Sequence, residues 1–324
     1  VINNAFTVNF SEMKKFVNNM LAAAMITASI VSAGPASAQT DMDAIMMNKK
    51  QFCQGLTYDY SSWDHYWEGT FKRDNQNLGT VSSQMVMYMP NYGITNNLNV
   101  MASVPYVWTK ASQGTLHGME GLQDLSVSVK WKPLTKSFGK NQFSLITIGG
   151  FSTPLSNYVI DFLPLSIGLG STNLSVRGMI DYRRDRFTVT GSATYTWRSN
   201  VKIDQSAYYD TELHLTNEIE MPNAAMYQLR TGYRGKYLIA EAVLTKTTTL
   251  GGYDITKNNG QLYPNLRMNA TMVGANVKYT LKKISELAFV GGCNFTVAGR
   301  NVGQSKAFNV GAFYAFYFGK KTKS

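Results

Sequence analysis

His214 and Thr216 stand two positions apart in Glu212-Leu-His214-Leu-Thr216-Asn217. On an extended strand alternate residues share one side, so an imidazole base would lie beside a hydroxyl nucleophile. The pattern carries threonine where hydrolysis would favour serine, and Glu218 follows where the comparable motif has glycine. The other histidines, His65 and His117, stand alone in loop-like stretches, and no cluster has the spacing of a metal-ligand set. No glycine loop leads into lysine and serine or threonine to cradle a phosphate. No catalytic residue, metal ligand or cofactor is therefore expected. Cys53 and Cys293 are the only cysteines; in an oxidising compartment they could pair if the fold brings them together.

The formal charge is +11, yet the basic residues are dispersed: Arg183-Arg184, Arg234 with Lys236, Lys282-Lys283, and a tail with Lys320-Lys321 and Lys323. No nucleic-acid recognition motif accompanies them, so nucleic acid is not an expected partner. The charge has to be explained by the elements that carry it.

Near the start, Met13-Lys14-Lys15 leads into an apolar run from Phe16 to Val31 and then into Ala36-Ser37-Ala38. A basic stretch, a short apolar stretch and a small-residue triplet read as a secretory signal over 13–38, cut after Ala38, with 1–12 as an upstream extension. Elsewhere no apolar run approaches the roughly 18 residues of a helical membrane span. The exported part is expected to comprise a short periplasmic segment over 39–54, a body over 55–318 and a basic tail over 319–324.

The body alternates with period two. In Asp124 to Lys132, Leu125, Val127, Val129 and Trp131 oppose Ser126, Ser128, Lys130 and Lys132. The same pattern runs from Asn173 to Arg183 and from Arg186 to Arg198. Nine further segments read likewise: 52–61, 81–89, 98–109, 143–153, 224–233, 237–247, 268–280, 286–297 and 306–318. Together they make about twelve strands, many of membrane-crossing length. Their connections alternate: 90–97, 133–142, 184–185, 234–236 and 281–285 are short, whereas most of the other set, such as 62–80, 154–172 and 199–223, are long. Aromatic residues gather near strand ends, among them Trp108, Trp131, Tyr182, Trp197, Tyr233 and Tyr279. A soluble β-sandwich would also show one polar face per strand, but it would have shorter strands and no aromatic girdles. The expectation is an all-β, transmembrane, antiparallel up-and-down β-barrel with about twelve strands, its long loops facing outward. Its place would be the bacterial outer membrane, among lipids, after delivery to the barrel-assembly machinery.

Three segments carry a family resemblance: Asn91 to Tyr106, Gly121 to Trp131, and Ile167 to Arg177. They resemble the tyrosine-glycine turn and Pro-Tyr strand, the glycine-x-x-aspartate strand, and the Gly-x-Gly-Ser strand of the family named for the meta-pathway of phenol degradation. The resemblance implies an outer-membrane transporter, and for its cargo hydrophobic compounds. Tyr92-Gly93 with Asn96-Asn97 is expected to build a tight turn, Pro105 to sit at a bulge, and Gly168 and Gly170 to permit a bend. The usual terminal aromatic residue of such barrels is here followed by Gly319 and the basic tail.

Alternation assigns Lys130, Lys132, Arg177, Asp181, Arg183, Arg186, Arg198, Gln228, Arg230, Glu241, Asn276 and Lys278 to the lumen. Such a face could favour anionic or amphipathic solutes, or its charges could pair among themselves. The loop from Asn157 to Gly168 is apolar for a water-facing segment, and Tyr158, Phe162, Leu163 and Leu165 are candidates for a constriction or capture site. The function read from these features is passive admission of small hydrophobic or aromatic solutes. Two alternatives stand beside it. One is a lipid hydrolase, since the His214 motif weakly resembles the His-x-Ser-Asn pattern of outer-membrane phospholipase. The other is a structural surface barrel.

Overall fold

In the computed structural model, which describes residues 39–256 and 262–317, each alternating run forms one long antiparallel strand. The strands are β1 (Gln51–Trp63), β2 (Val81–Thr95), β3 (Leu98–Ala111), β4 (Asp124–Phe138), β5 (Asn141–Pro154) and β6 (Asn173–Arg184). They continue as β7 (Phe187–Arg198), β8 (Ala224–Arg234), β9 (Leu238–Thr249), β10 (Asn269–Thr280), β11 (Leu287–Arg300) and β12 (Lys306–Tyr317). Each pairs with its sequence neighbours, and β12 returns to β1 from Gln51 opposite Tyr317 to Ser62 opposite Lys306. Closure pairs the backbone groups that an open sheet edge would expose, which a bilayer requires. The expected signal segment, the upstream extension and the tail 319–324 fall outside the described residues.

The strands run further toward the short-turn end than periodicity alone indicated. β4 continues through Pro133 to Phe138, and the register shifts between Trp131 and Leu134. Pro133 falls within that irregularity, where a missing N–H costs little, so the connection shrinks to Gly139-Lys140. Gly139 at φ 58° and Asp185 at φ 54° supply the left-handed residues that these tight turns need. Pro105 marks a different irregularity: β3 pairs with β4 only from Leu98 to Ser103. Beyond it, Tyr106–Trp108 pairs with the short strand Glu120–Leu122.

One period-two set faces outward and apolar. Val129, Leu145, Phe151, Val176, Ile180, Leu229, Leu244 and Val310 are each more than a third exposed. Such a belt would be an aggregation surface in water and is the natural lipid face of a barrel. Aromatic rings border it, with Tyr195 against Trp197 at the long-loop end and Phe143 against Tyr182 at the short-turn end. The other set faces inward and includes Lys130, Ile146, Arg177, Met179, Asp181, Arg230 and Glu241, all buried.

Candidate functional site

The interior is occupied by the protein's own segment 39–50. Asp43 organises it locally: its carboxylate accepts from Thr40 N at 2.7 Å, Thr40 Oγ1 at 3.0 Å and Ile45 N at 2.9 Å. A short polar side chain that satisfies nearby backbone donors stabilises such a turn without helix or strand. The base of the segment is fixed at the short-turn end, where Lys50 N donates to Gly93 O at 2.7 Å and Lys49 N to Asn96 Oδ1 at 2.9 Å. Farther in, Asn99 Nδ2 donates to Met47 O at 3.3 Å and Asn91 Nδ2 to Gln39 O at 3.1 Å. Met47 packs with Cys53, Met89, Ala288, Phe313 and Ala315, while Ala44 packs with Met101, Ile146, Ile148 and Met179. The segment expected in the periplasm therefore divides: 51–54 begin β1, and 39–50 form an internal plug.

Gly93 has a different task from the turn assigned to it. Asn96-Asn97 forms the turn, while Gly93 lies within β2, where a Cβ would overlap the Asn48 carbonyl oxygen. Its missing side chain lets the plug's base approach the wall.

Charge holds the plug higher up. Lys130 is fully buried, and its Nζ lies 3.1 Å from Asp43 Oδ1 and 2.9 Å from Thr40 O. Arg177 donates from Nη1 to the Asp41 carbonyl and, at 3.3 Å, to Asp41 Oδ2, while its Nε donates to Thr194 Oγ1 at 2.6 Å. Farther along the same wall, from β6 to β9, Arg230 Nη2 meets Glu241 Oε2 at 2.8 Å, and Arg234 bridges Glu241 at 3.0 Å and Asp181 at 3.2 Å. Arg230 also reaches the Met42 carbonyl at 3.5 Å.

Among the sequence candidates, the structure thus brings Lys130, Arg177, Asp181, Arg230 and Glu241 into contact with the plug or with one another. Lys278 is half-buried on β10, and Arg198 is half-buried at the long-loop end of β7. Arg186 lies elsewhere: it is exposed in the turn before β7, donating to Tyr233 OH at 3.0 Å with its guanidinium over that ring. The alternation was carried one residue past the strand. Arg234, read as a turn charge, is instead buried between two carboxylates. Its place at even spacing from Arg230 on the same strand was the signal available for finding it.

The loops close over the opposite mouth. Leu165 is buried, and its carbonyl accepts from Thr109 Oγ1 at 2.6 Å, which draws the 155–172 loop across toward β3. Tyr158 OH donates to Asp124 Oδ1 at 2.6 Å and accepts from Gly170 N at 3.0 Å. Burial, reinforced by the Asp124 carboxylate, pushes the Tyr158 phenol up, so it remains a donor. Gly170 sits at φ 71°. Ile160 joins Val201, Ile203, Ile219, Tyr253 and Tyr263 in an apolar cluster shared by three loops. Phe162 is exposed and Leu163 half-buried. Asp254 is bonded to Arg300 and, at 2.7 Å, to Asn301, and the Arg300 guanidinium holds its carboxyl down to about 2.

His214 belongs to this cap. Its Nε2 is 3.0 Å from Asp210 Oδ1 and its ring stacks on Tyr208 at 4.4 Å, while Thr216 Oγ1 accepts from Glu218 N at 3.1 Å. Both members of the suspected pair take part in loop structure. Cys53 and Cys293 are free, on β1 and β11, with β12 between those strands.

Between Asp41 of the plug and the wall formed by β2 to β7 lies a cavity of about 250 Å³. Met89, Met101 and Ile148 line it together with the hydroxyls of Ser103, Ser126, Ser128, Ser152 and Ser175, and with Asp41 and Arg177.

A closed barrel with a lipid-facing belt, aromatic borders and an occluded polar lumen is an outer-membrane channel fold. The chain belongs to the family described as "Putative MetA-pathway of phenol degradation", whose profile matches residues 77–311. Among solved structures it is similar to the COG4313 outer membrane channel from Pseudomonas putida F1. That match has a TM-score of 0.70 and 14% identity, and covers 86% of this chain and all of the other. Looser likeness is found to the NanC porin, with TM-score 0.46 and 11% identity over 81% of this chain and 98% of the porin. The CymD monoaromatic hydrocarbon channel gives 0.37 and 11% over 85% and 90%. No curated protein matches the chain.

Proposed function

We propose that this protein is a passive transporter of the bacterial outer membrane for small hydrophobic or aromatic solutes, delivered there by the 13–38 signal and folded by the barrel-assembly machinery. The observation that carries the reading is the lumen: a closed barrel holds, beside Asp41 of the plug, a cavity sized for one ring or a short chain. Pockets for drug-sized ligands run from roughly 300 to 1,000 Å³, so about 250 Å³ suits a smaller solute. Met89, Met101 and Ile148 offer it apolar contact. The protein is not an enzyme in this reading, because His214 and Thr216 are engaged in holding the cap.

Purified protein in liposomes is expected to speed the entry of benzyl alcohol and similar single-ring solutes over that of glucose. Removal of residues 39–50 is expected to raise conductance. Equal fluxes with and without the protein would overturn the reading, and so would release of fatty acid from phospholipid that is lost in His214→Ala.

A further inference from the structure

We propose that the cavity at Arg177 is a binding site for the carboxylate of a small amphipathic acid, and that Asp41 is an internal stand-in which such a ligand displaces. The proposal rests on the transport reading and narrows its cargo from hydrophobic or aromatic compounds in general to those carrying an acid group.

The two plug carboxylates differ in how they are held. Asp43 is saturated by Thr40, Ile45 and Lys130, and its side chain is 8% exposed. Asp41 makes one side-chain contact with Arg177, at 3.3 Å, and is 47% exposed. The first is an anchor, and the second is a weak occupant of a strong cation site. Arg177 itself is 7% exposed, held by Thr194 through Nε and by the Asp41 carbonyl through Nη1. Its Nη2 has no protein partner among the described residues, and the side chain lines the cavity. A guanidinium fork with one arm already meeting a carboxylate matches an incoming carboxylate in two-point geometry, which a neutral hydroxyl cannot reproduce.

The remaining walls agree with such a ligand. Ser175 Oγ already donates to Gly150 O at 3.5 Å and Ser152 Oγ accepts from Asn173 Nδ2 at 3.0 Å, but the hydroxyls of Ser103, Ser126 and Ser128 on β3 and β4 would be left unsatisfied by a hydrocarbon, whereas a carboxylate can accept from them. Met89, Met101 and Ile148 provide the complementary surface for a ring. Entry of the ligand exchanges one carboxylate for another at Arg177, so the guanidinium stays paired while the Asp41 side chain is released.

The test is equilibrium binding of radiolabelled benzoate to detergent-purified full-length protein, with benzyl alcohol as the neutral comparison. Benzoate is expected to bind at least tenfold more tightly than benzyl alcohol, and R177Q is expected to lose that preference. Asp41→Asn removes the internal competitor while keeping the cation, and is expected to bind benzoate at least threefold more tightly. Heat-modifiable migration on gels checks that each variant is a folded barrel; should R177Q fail, D41N decides. Equal binding of the acid and the alcohol, or unchanged or weaker benzoate binding in D41N, would overturn the site. Flux of both solutes into liposomes is measured separately. Binding without any flux would overturn the transport reading and leave the site standing, whereas flux without acid preference would do the reverse.

Discussion

The ammonium of Lys130 on β4 and the carboxylate of Asp43 on the plug lie 3.1 Å apart, with side-chain exposures of 0% and 8%. Removing one member of a buried pair strands the other charge, at a cost of about 3–5 kcal/mol. Asp43→Ala is therefore expected to expel the plug rather than unfold the barrel, because the twelve-strand ladder does not depend on it. In planar bilayers D43A should show larger and longer openings than the unaltered protein. Adding Lys130→Met should restore part of the closed state, since the orphan cation is then gone.

Arg234 and Arg186 provide an internal comparison of two arginines near the same end of the barrel. Arg234 joins Asp181 and Glu241 in a buried chain, so Arg234→Leu leaves Asp181 without its cation while Glu241 keeps Arg230, and should cost about 3–5 kcal/mol. Arg186 is exposed beside Tyr233, and Arg186→Ala should cost about 1 kcal/mol or less. Urea unfolding of the detergent-solubilised barrel, followed by its mobility shift, measures both. Equal midpoints for the two variants would contradict the assignment of Arg234 to the interior.

The cap should loosen in acid. Arg300 holds the Asp254 carboxyl at about 2, below its ordinary 3.8. A depressed carboxylate contributes stability above its unfolded value and loses it as pH falls through the folded one. The contribution of this pair is thus full above about pH 4 and disappears toward pH 2. The pair is partly exposed, with side chains 29% and 35% accessible, so the effect is local and screened by salt. Hydrogen exchange at residues 250–256 is expected to rise across that interval in the natural protein. In Asp254→Asn it should already be high at pH 5 and change little below it.

The barrel was legible because its determinants are local and repeated. Val127, Val129 and Trp131 set against Ser126, Ser128 and Lys130 specify a strand and its two faces without knowledge of any partner, and tight turns such as Asp185-Arg186 specify its antiparallel neighbour. Ends were less legible. The proline at 133 reads as a strand terminator, yet the register shift beside it lets β4 continue to Phe138.

Alternation likewise placed Lys130, Arg177, Asp181, Arg230 and Glu241 on one face, and could not say what they would meet there. The plug 39–50 has no period, and Asp41 and Asp43 resemble any two surface acids. Their partners stand 87 residues away at Lys130 and 136 at Arg177. By itself the sequence determined the strands, their faces and the up-and-down order, since each follows from neighbouring residues. Only closure of the barrel decided that the basic inner face would receive the protein's own acidic segment, because charges buried on folding must find partners in place of the water they lose.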